Sequence, residues 1–174
     1  MTPEEIENRY QELCATESDI FLHLPKLREY ADKCEHVTEL GTRSCVSLFA
    51  FLSSSANKVV AIDICDVAVP DVEKLQFICA NDLEIEIEPT DMLFIDTLHN
   101  AEHCRKELIL HAGKVNKYLA FHDTDYFGIN GDDGYKGLMF AINDFLETNL
   151  DWKIDYQTNI NNGLTVLIRG WKNV

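Results

Sequence analysis

A chain of 174 residues with 46% apolar content can bury one sizeable core and is too short for two ordinary domains. Its formal charge of -15 creates a field that repels nucleic acid and anionic membrane surfaces, so neither is an expected partner. No apolar stretch approaches the ~20 residues that span a bilayer, the acidic N-terminus is unlike a targeting peptide, and the cysteines form no C-x-x-C pair, which together place the chain in a reducing cytoplasm.

In chain order, Thr2 is a helix N-cap, with Pro3 at the first helical position and Glu4 and Glu5 in the first turn, and the helix runs to about Glu12. Ser18 and Asp19 cap a second helical segment that Pro25 breaks early. Residues 1–35 are expected to lie over the core, as simple packing or as a substrate lid, and residues 36–174 to form the main domain. Between His36 and Asp63 come a strand ending in Glu39 and Leu40, a turn led by Gly41, an amphipathic helix from Cys45 to Leu52, and a second strand ending in Asp63. Such a turn leaves unpaired backbone N–H groups at the helix start, and Thr42 and Ser44 add hydroxyls. Asp63 lies 22 positions after Gly41, where an acid accepts hydrogen bonds from ribose hydroxyls.

The few residues from Asp66 to Glu73 form a shortened helix or a plain loop before a strand at Leu75–Ala80, which ends in Asn81 and Asp82. Leu83 to Glu88 alternates with period two, yet its place between better strands favours a connecting turn of helix. Met92–Ile95 is a buried strand followed by Asp96, Thr97 and His99, then a helix from about Asn100 to Ala112, on which His103 and His111 read as ordinary surface residues. Tyr118–Phe121 is the next strand and ends in His122 and Asp123. A glycine-rich loop from Tyr126 to Lys136 follows as a candidate flap. A helix at Gly137–Glu147 and a hairpin of Trp152–Tyr156 with Leu164–Ile168 close the chain.

Alternating strands and helices with a terminal antiparallel pair predict an α/β sheet with ligands at the carboxyl ends of the parallel strands. Glu39, Asp63, Asp82, Asp96, His99, His122 and Asp123 fall at those ends from five strands. Polar residues stop strands everywhere, but convergence of five on one rim points to a site.

Four segments carry a resemblance: ELGTRS at Glu39–Ser44, VVAID at Val59–Asp63, DMLFIDTLH at Asp91–His99 and LAFHDT at Leu119–Thr124. From about Ser18 onward the chain resembles class I S-adenosylmethionine-dependent methyltransferases, nearest the cephalosporin-hydroxylase-like and macrolide-sugar O-methyltransferase branch. The resemblance implies a Rossmann-like, seven-stranded, mostly parallel sheet with a C-terminal antiparallel hairpin. It implies that Glu39, Gly41, Thr42 and Ser44 line the methionine end of the cofactor, that Asp63 binds the ribose, that Asn81 and Asp82 sit near the adenine, and that Asp96 borders the same site. Asp96 and Asp123 match two magnesium ligands of metal-dependent members, and His122 stands where those members often carry Glu; magnesium is thus a candidate ion at Asp96, His122 and Asp123. His99 or His122 is the implied base beside Asp96, and a small, polyhydroxylated molecule is the implied acceptor. A degenerate, non-enzymatic binding protein and a nicotinamide-dependent oxidoreductase are the alternatives, the latter lacking its three-glycine fingerprint. Small domains with a thin cover often complete a site with a neighbour, so a homo-oligomer is also a candidate state.

Overall fold

The computed structural model describes residues 1–170. Five apolar segments pair in parallel: β1 (His36–Leu40), β2 (Lys58–Asp63), β3 (Leu75–Cys79), β4 (Thr90–Ile95) and β5 (Val115–His122). The last two strands, β6 (Trp152–Thr158) and β7 (Leu164–Arg169), form the expected hairpin, and β7 pairs antiparallel with β5. The sheet order is β3-β2-β1-β4-β5-β7-β6. From β1 the chain first builds outward through β2 and β3, then returns to lay β4 on the other side of β1. Loops leaving β1 and β4 therefore diverge, and a crevice opens between their carboxyl ends.

Side chains alternate across the sheet and split the core in two. Val37, Val59, Met92 and Phe94 face one cluster, and Leu40, Val60, Leu93 and Ile95 face the other. Helices α1 (Pro3–Ala15), α2 (Leu24–Ala31) and α3 (Val46–Leu52) cover the first face, while α4 (Ala101–His111) and α5 (Leu138–Thr148) cover the second. The expected capping box of α1 is present, Thr2 Oγ1 accepting from Glu5 N at 3.2 Å and Glu5 Oε2 from Thr2 N at 2.7 Å. Pro25 sits in the first turn of α2, after a short 3-10 turn at Phe21–His23.

Two local expectations change, and the open choice after β2 resolves to the plain loop. α3 is not amphipathic: every residue from Ser47 to Leu52 is buried, because α1 and α2 lie over the side that would otherwise face water. The connection after β2 holds no helix, and Val67, Val69 and Val72 of this loop pack on the first cluster instead. Leu83 to Glu88 forms neither helix nor strand; a turn at 82–84 leads into extended chain that drops Ile85 and Ile87 into the second cluster. Among the described residues the six cysteines are free thiols, and no helix is long and apolar enough to cross a membrane.

Phe94 is fully buried at the centre of the sheet, against Phe51 at a ring-centroid distance of 5.5 Å. Replacing Phe94 with Ala should cost about 3–5 kcal/mol through lost burial and the cavity left behind. Urea unfolding of both proteins measures this, and a loss under ~1 kcal/mol would contradict the packing described.

Candidate active site

The loop between β1 and α3 is held against both neighbouring strands. Gly41 N donates to Ile62 O at 2.8 Å, and Asp96 N donates to Leu40 O at 2.9 Å. Gly41 has a φ of +84°, and a Cβ placed there would lie 2.0 Å from Asp96 O. Only glycine permits that approach. Beyond it, Thr42 N and Arg43 N donate to Asp63 Oδ2 at 2.9 and 2.8 Å, and Cys65 N donates to Oδ1 at 2.8 Å. Asp63, expected to face a ribose, thus also fixes this loop. Arg43 and Cys45 adopt left-handed backbone, with φ of 42° and 62°, a strain that a surrounding network must hold in place.

Glu39 lies beneath this loop, fully buried, with its carboxyl accepting from Ser47 Oγ at 2.5 Å and Thr42 Oγ1 at 3.0 Å. Burial pushes its pKa up to about 8 despite those hydroxyls, so it carries a proton at neutral pH. Its place is below the loop and not on the open cavity wall. Ser44 is exposed and does line a cavity.

Two cavities flank the loop and share Gly41, Arg43, Asp96 and Thr97. The larger, about 560 Å³, is bordered by Asp63, Asn81, Asp82, Leu98 and His103. The smaller, about 180 Å³, is bordered by Asp19, Thr42, Ser44, Ser47 and His99. Arg43 reaches Asp19 at 3.5 Å across the mouth; at this exposure the ion pair contributes little energy. Another cavity, between α4 and α5 beside Trp152 and Arg169, lies toward the opposite ends of the parallel strands.

At the crevice floor, β4 and β5 deliver Asp96, His99, His122 and Asp123 to one cluster. His99 Nε2 lies 2.9 Å from Asp123 Oδ2 and its Nδ1 3.1 Å from Asp132 Oδ2. His122 Nδ1 lies 3.4 Å from Asp96 Oδ1 and 3.3 Å from Asp123 Oδ2, while its Nε2 faces the carbonyls of Asp19 and Asn161 at 3.1 and 3.3 Å. All four ring nitrogens face oxygen atoms, and only two protonated imidazoles can donate to all of them. Burial alone lowers an imidazole pKa, but hydrogen bonds to Asp123 and Asp96 outweigh it and hold both rings at about 10. Burial likewise works to raise Asp96 and Asp123, and the histidines reverse this, leaving both acids below the usual carboxylate range.

Several participants carry no sequence signal. Asp132, from the glycine-rich loop, clamps His99; its N–H also donates to His99 O at 3.0 Å. Phe127 stacks on the His99 ring at 4.4 Å. Asn161, from the hairpin turn, receives Leu22 N at 2.9 Å and donates to Ser18 O at 2.8 Å, which ties the N-terminal segment over the crevice. His103 and His111 are not ordinary surface residues: His103 meets Asp82 Oδ2 at 2.7 Å and His111, buried, meets Asp82 O at 2.8 Å. Their spacing on α4 with Glu107, four residues apart each time, was the available signal.

No protein-family model matches the chain, and no curated protein matches it in sequence. Its fold, however, is shared with solved methyltransferases. The MycE methyltransferase of the mycinamycin biosynthetic pathway, in complex with Mg and SAH, superposes with a TM-score of 0.68 at 16% identity, covering 97% of this chain and 54% of MycE. SAH-bound methyltransferase PaMTH1 from Podospora anserina gives 0.63 at 15% identity over 98% of this chain and 89% of that one. The O-methyltransferase TomG from Streptomyces achromogenes, in complex with SAM, gives 0.63 at 13% identity over 96% and 90%. The chain has the Rossmann-like fold of class I methyltransferases.

The cluster sets a pH dependence of stability. The raised histidines contribute fully below their unfolded pKa of about 6.5, and that contribution is lost as pH rises through about 10. The lowered acids contribute above about pH 4 and lose this as pH falls through their folded values. Chemical denaturation between pH 6 and 10, a range set by those values, should show declining stability on the alkaline side, and Asp123→Asn should flatten the decline. An unchanged slope in the variant would remove Asp123 as the source.

Proposed function

We propose that the protein transfers a methyl group from S-adenosylmethionine to a hydroxyl of a small, polyhydroxylated molecule. The observation that carries this reading is the Asp96–His99–Asp123 cluster at the boundary of two adjoining cavities, one shaped by Gly41, Asp63 and Asp82 and the other reaching His99. The absent Cβ at Gly41 and the polar groups around the larger cavity fit an adenosyl ligand. Asp63 would hold the ribose, Asn81 and Asp82 would border the adenine, and Gly41, Thr42 and Ser44 would border the methionine portion. When bound, the cofactor supplies an electrophilic methyl carbon on a positively charged sulfonium.

The protein's share is orientation and one proton. Asp96 borders both cavities, so its negative charge favours a cation between them. His99 is the exposed member of the histidine pair, its side chain 24% accessible against 1% for His122. His99, once its Nε2 proton has passed to solvent, would accept the hydroxyl proton at Nε2, while Asp132 and Phe127 hold the ring in place. His122, enclosed by two carboxylates and two carbonyls, keeps its charge and fixes Asp96 and Asp123.

Magnesium fits this donor set poorly. The converging ligand atoms include an imidazole nitrogen, and the His122 N–H stands between the two carboxylates. Turnover of the metal-stripped protein should therefore be the same with and without added magnesium.

Residues 1–35 are read as a fixed cover, because Asn161 ties Ser18 and Leu22 to the hairpin turn. The free thiols support a reducing, cytoplasmic setting. A non-enzymatic binding role is the second reading, favoured by the closed hydrogen-bond circuit around both histidines.

Calorimetric titration with S-adenosylhomocysteine, S-adenosylmethionine and NAD tests the class: adenosyl-sulfur ligands should bind and NAD should not. Asp63→Ala should weaken S-adenosylhomocysteine binding by about 1–3 kcal/mol; unchanged affinity would remove the ribose assignment. With an acceptor in hand, the rate should rise with pH toward the His99 pKa of about 10, since the base must first lose a proton. His99→Gln should abolish that limb without abolishing cofactor binding, and a retained limb would move the base elsewhere.

A further inference from the structure

A second group of ligating side chains lies at the other end of the larger cavity, apart from Asp96, His99 and Asp123. Asp82, in the turn three residues beyond β3, meets His103 and Glu107 of α4, one turn apart on the same helix face. One ligand atom from each of the three lies within 4.8 Å of the others. His103 Nε2 is 2.7 Å from Asp82 Oδ2 and 3.6 Å from Glu107 Oε1. These distances bracket the ~3.3 Å that separates ligands around an ion with ~2.0 Å bonds in tetrahedral geometry.

The independent observation is Glu107 itself. Its side chain is 0% exposed, and although Oε1 accepts from Thr97 Oγ1 at 2.6 Å, Oε2 has no hydrogen-bond partner among the described residues. A buried carboxyl oxygen without a donor is costly and calls for an occupant. His111, one turn further along α4, is buried and donates from Nε2 to Asp82 O at 2.8 Å, which holds the Asp82 backbone in place. Asp82 and His103 both border the 560 Å³ cavity, so the group has a way in and a side open to water.

We propose that Asp82, His103 and Glu107 bind a divalent transition-metal ion of the zinc type, with the remaining position open to the cavity. One imidazole and two carboxylates suit zinc or cobalt better than magnesium or calcium, which prefer oxygen alone. His111 acts as a positioning residue for Asp82. The site does not depend on methyl transfer, and its test reads metal directly.

Metal-stripped full-length protein is titrated with zinc by calorimetry and with cobalt by visible absorption. One equivalent should bind saturably, with cobalt d–d bands. His103→Ala and Glu107→Gln should each weaken binding at least ~10-fold, while Asp123→Asn should bind as wild type. His103 is partly exposed, so His103→Gln serves if the Glu107 variant fails to fold. No saturable binding, binding lost in Asp123→Asn but kept in His103→Ala, or an intense near-ultraviolet cobalt–thiolate band marking cysteine ligation would each overturn the proposal. Failure to bind S-adenosylhomocysteine would leave it standing.

Discussion

The close passage of Gly41 beneath the Asp96 carbonyl is the constraint on which the site depends. β1 and β4 are neighbours in the sheet but lead into chain that leaves in different directions, so their ends part at this point. A missing side chain lets the β1 loop stay against β4 for one residue more, and Asp63 then gathers the Thr42 and Arg43 amides from the other side. The result is a loop gripped by two strands, with left-handed residues at Arg43 and Cys45 that a looser chain would relax. Glu39 supports it from below as a buried acid that is neutral at physiological pH.

On that floor the electrostatics are unusual for a sheet end. Two histidines are held as cations by Asp96 and Asp123, and a third acid, Asp132, arrives from a loop far along the chain. The arrangement is internally compensated: removing one carboxylate would leave a buried imidazolium short of its partner, a more costly change than loss of a surface ion pair. Asp123 adopts a φ of 60°, and one of its buried carboxylate oxygens has no partner among the described residues, so part of the cluster is strained.

The elements above the crevice are tied down by polar side chains in addition to their apolar packing. Asn161 accepts from Leu22 and donates to Ser18, which anchors the N-terminal segment, and His23 meets Asn161 O at 2.9 Å. The glycine-rich loop is tied through Asp132 and Gly131, whose Cβ would stand 2.5 Å from His99 O. Both covers therefore converge on the histidine pair, one on His122 and the other on His99.

Much was legible in the sequence because local rules suffice for it. Thr2, Pro3 and Glu5 define the first helix start, apolar runs ending in acids mark the parallel strands, and Asn161 to Gly163 marks the hairpin turn. The same regularity predicted that Asp63, Asp96, His99, His122 and Asp123 meet at one rim, since parallel strands present their carboxyl ends together. Tertiary structure decided the rest. Whether α3 is amphipathic depends on what lies over it, and whether the alternating run at Leu83–Glu88 becomes a strand depends on finding a pairing partner, which it lacks. That His103 and His111 turn inward, that Asp132 clamps His99, and that the His99 and His122 imidazoles are held charged are consequences of neighbours distant in sequence. Periodicity and capping act within a few residues, whereas burial, charge pairing and hydrogen-bond satisfaction are settled only when the sheet brings those distant residues into contact.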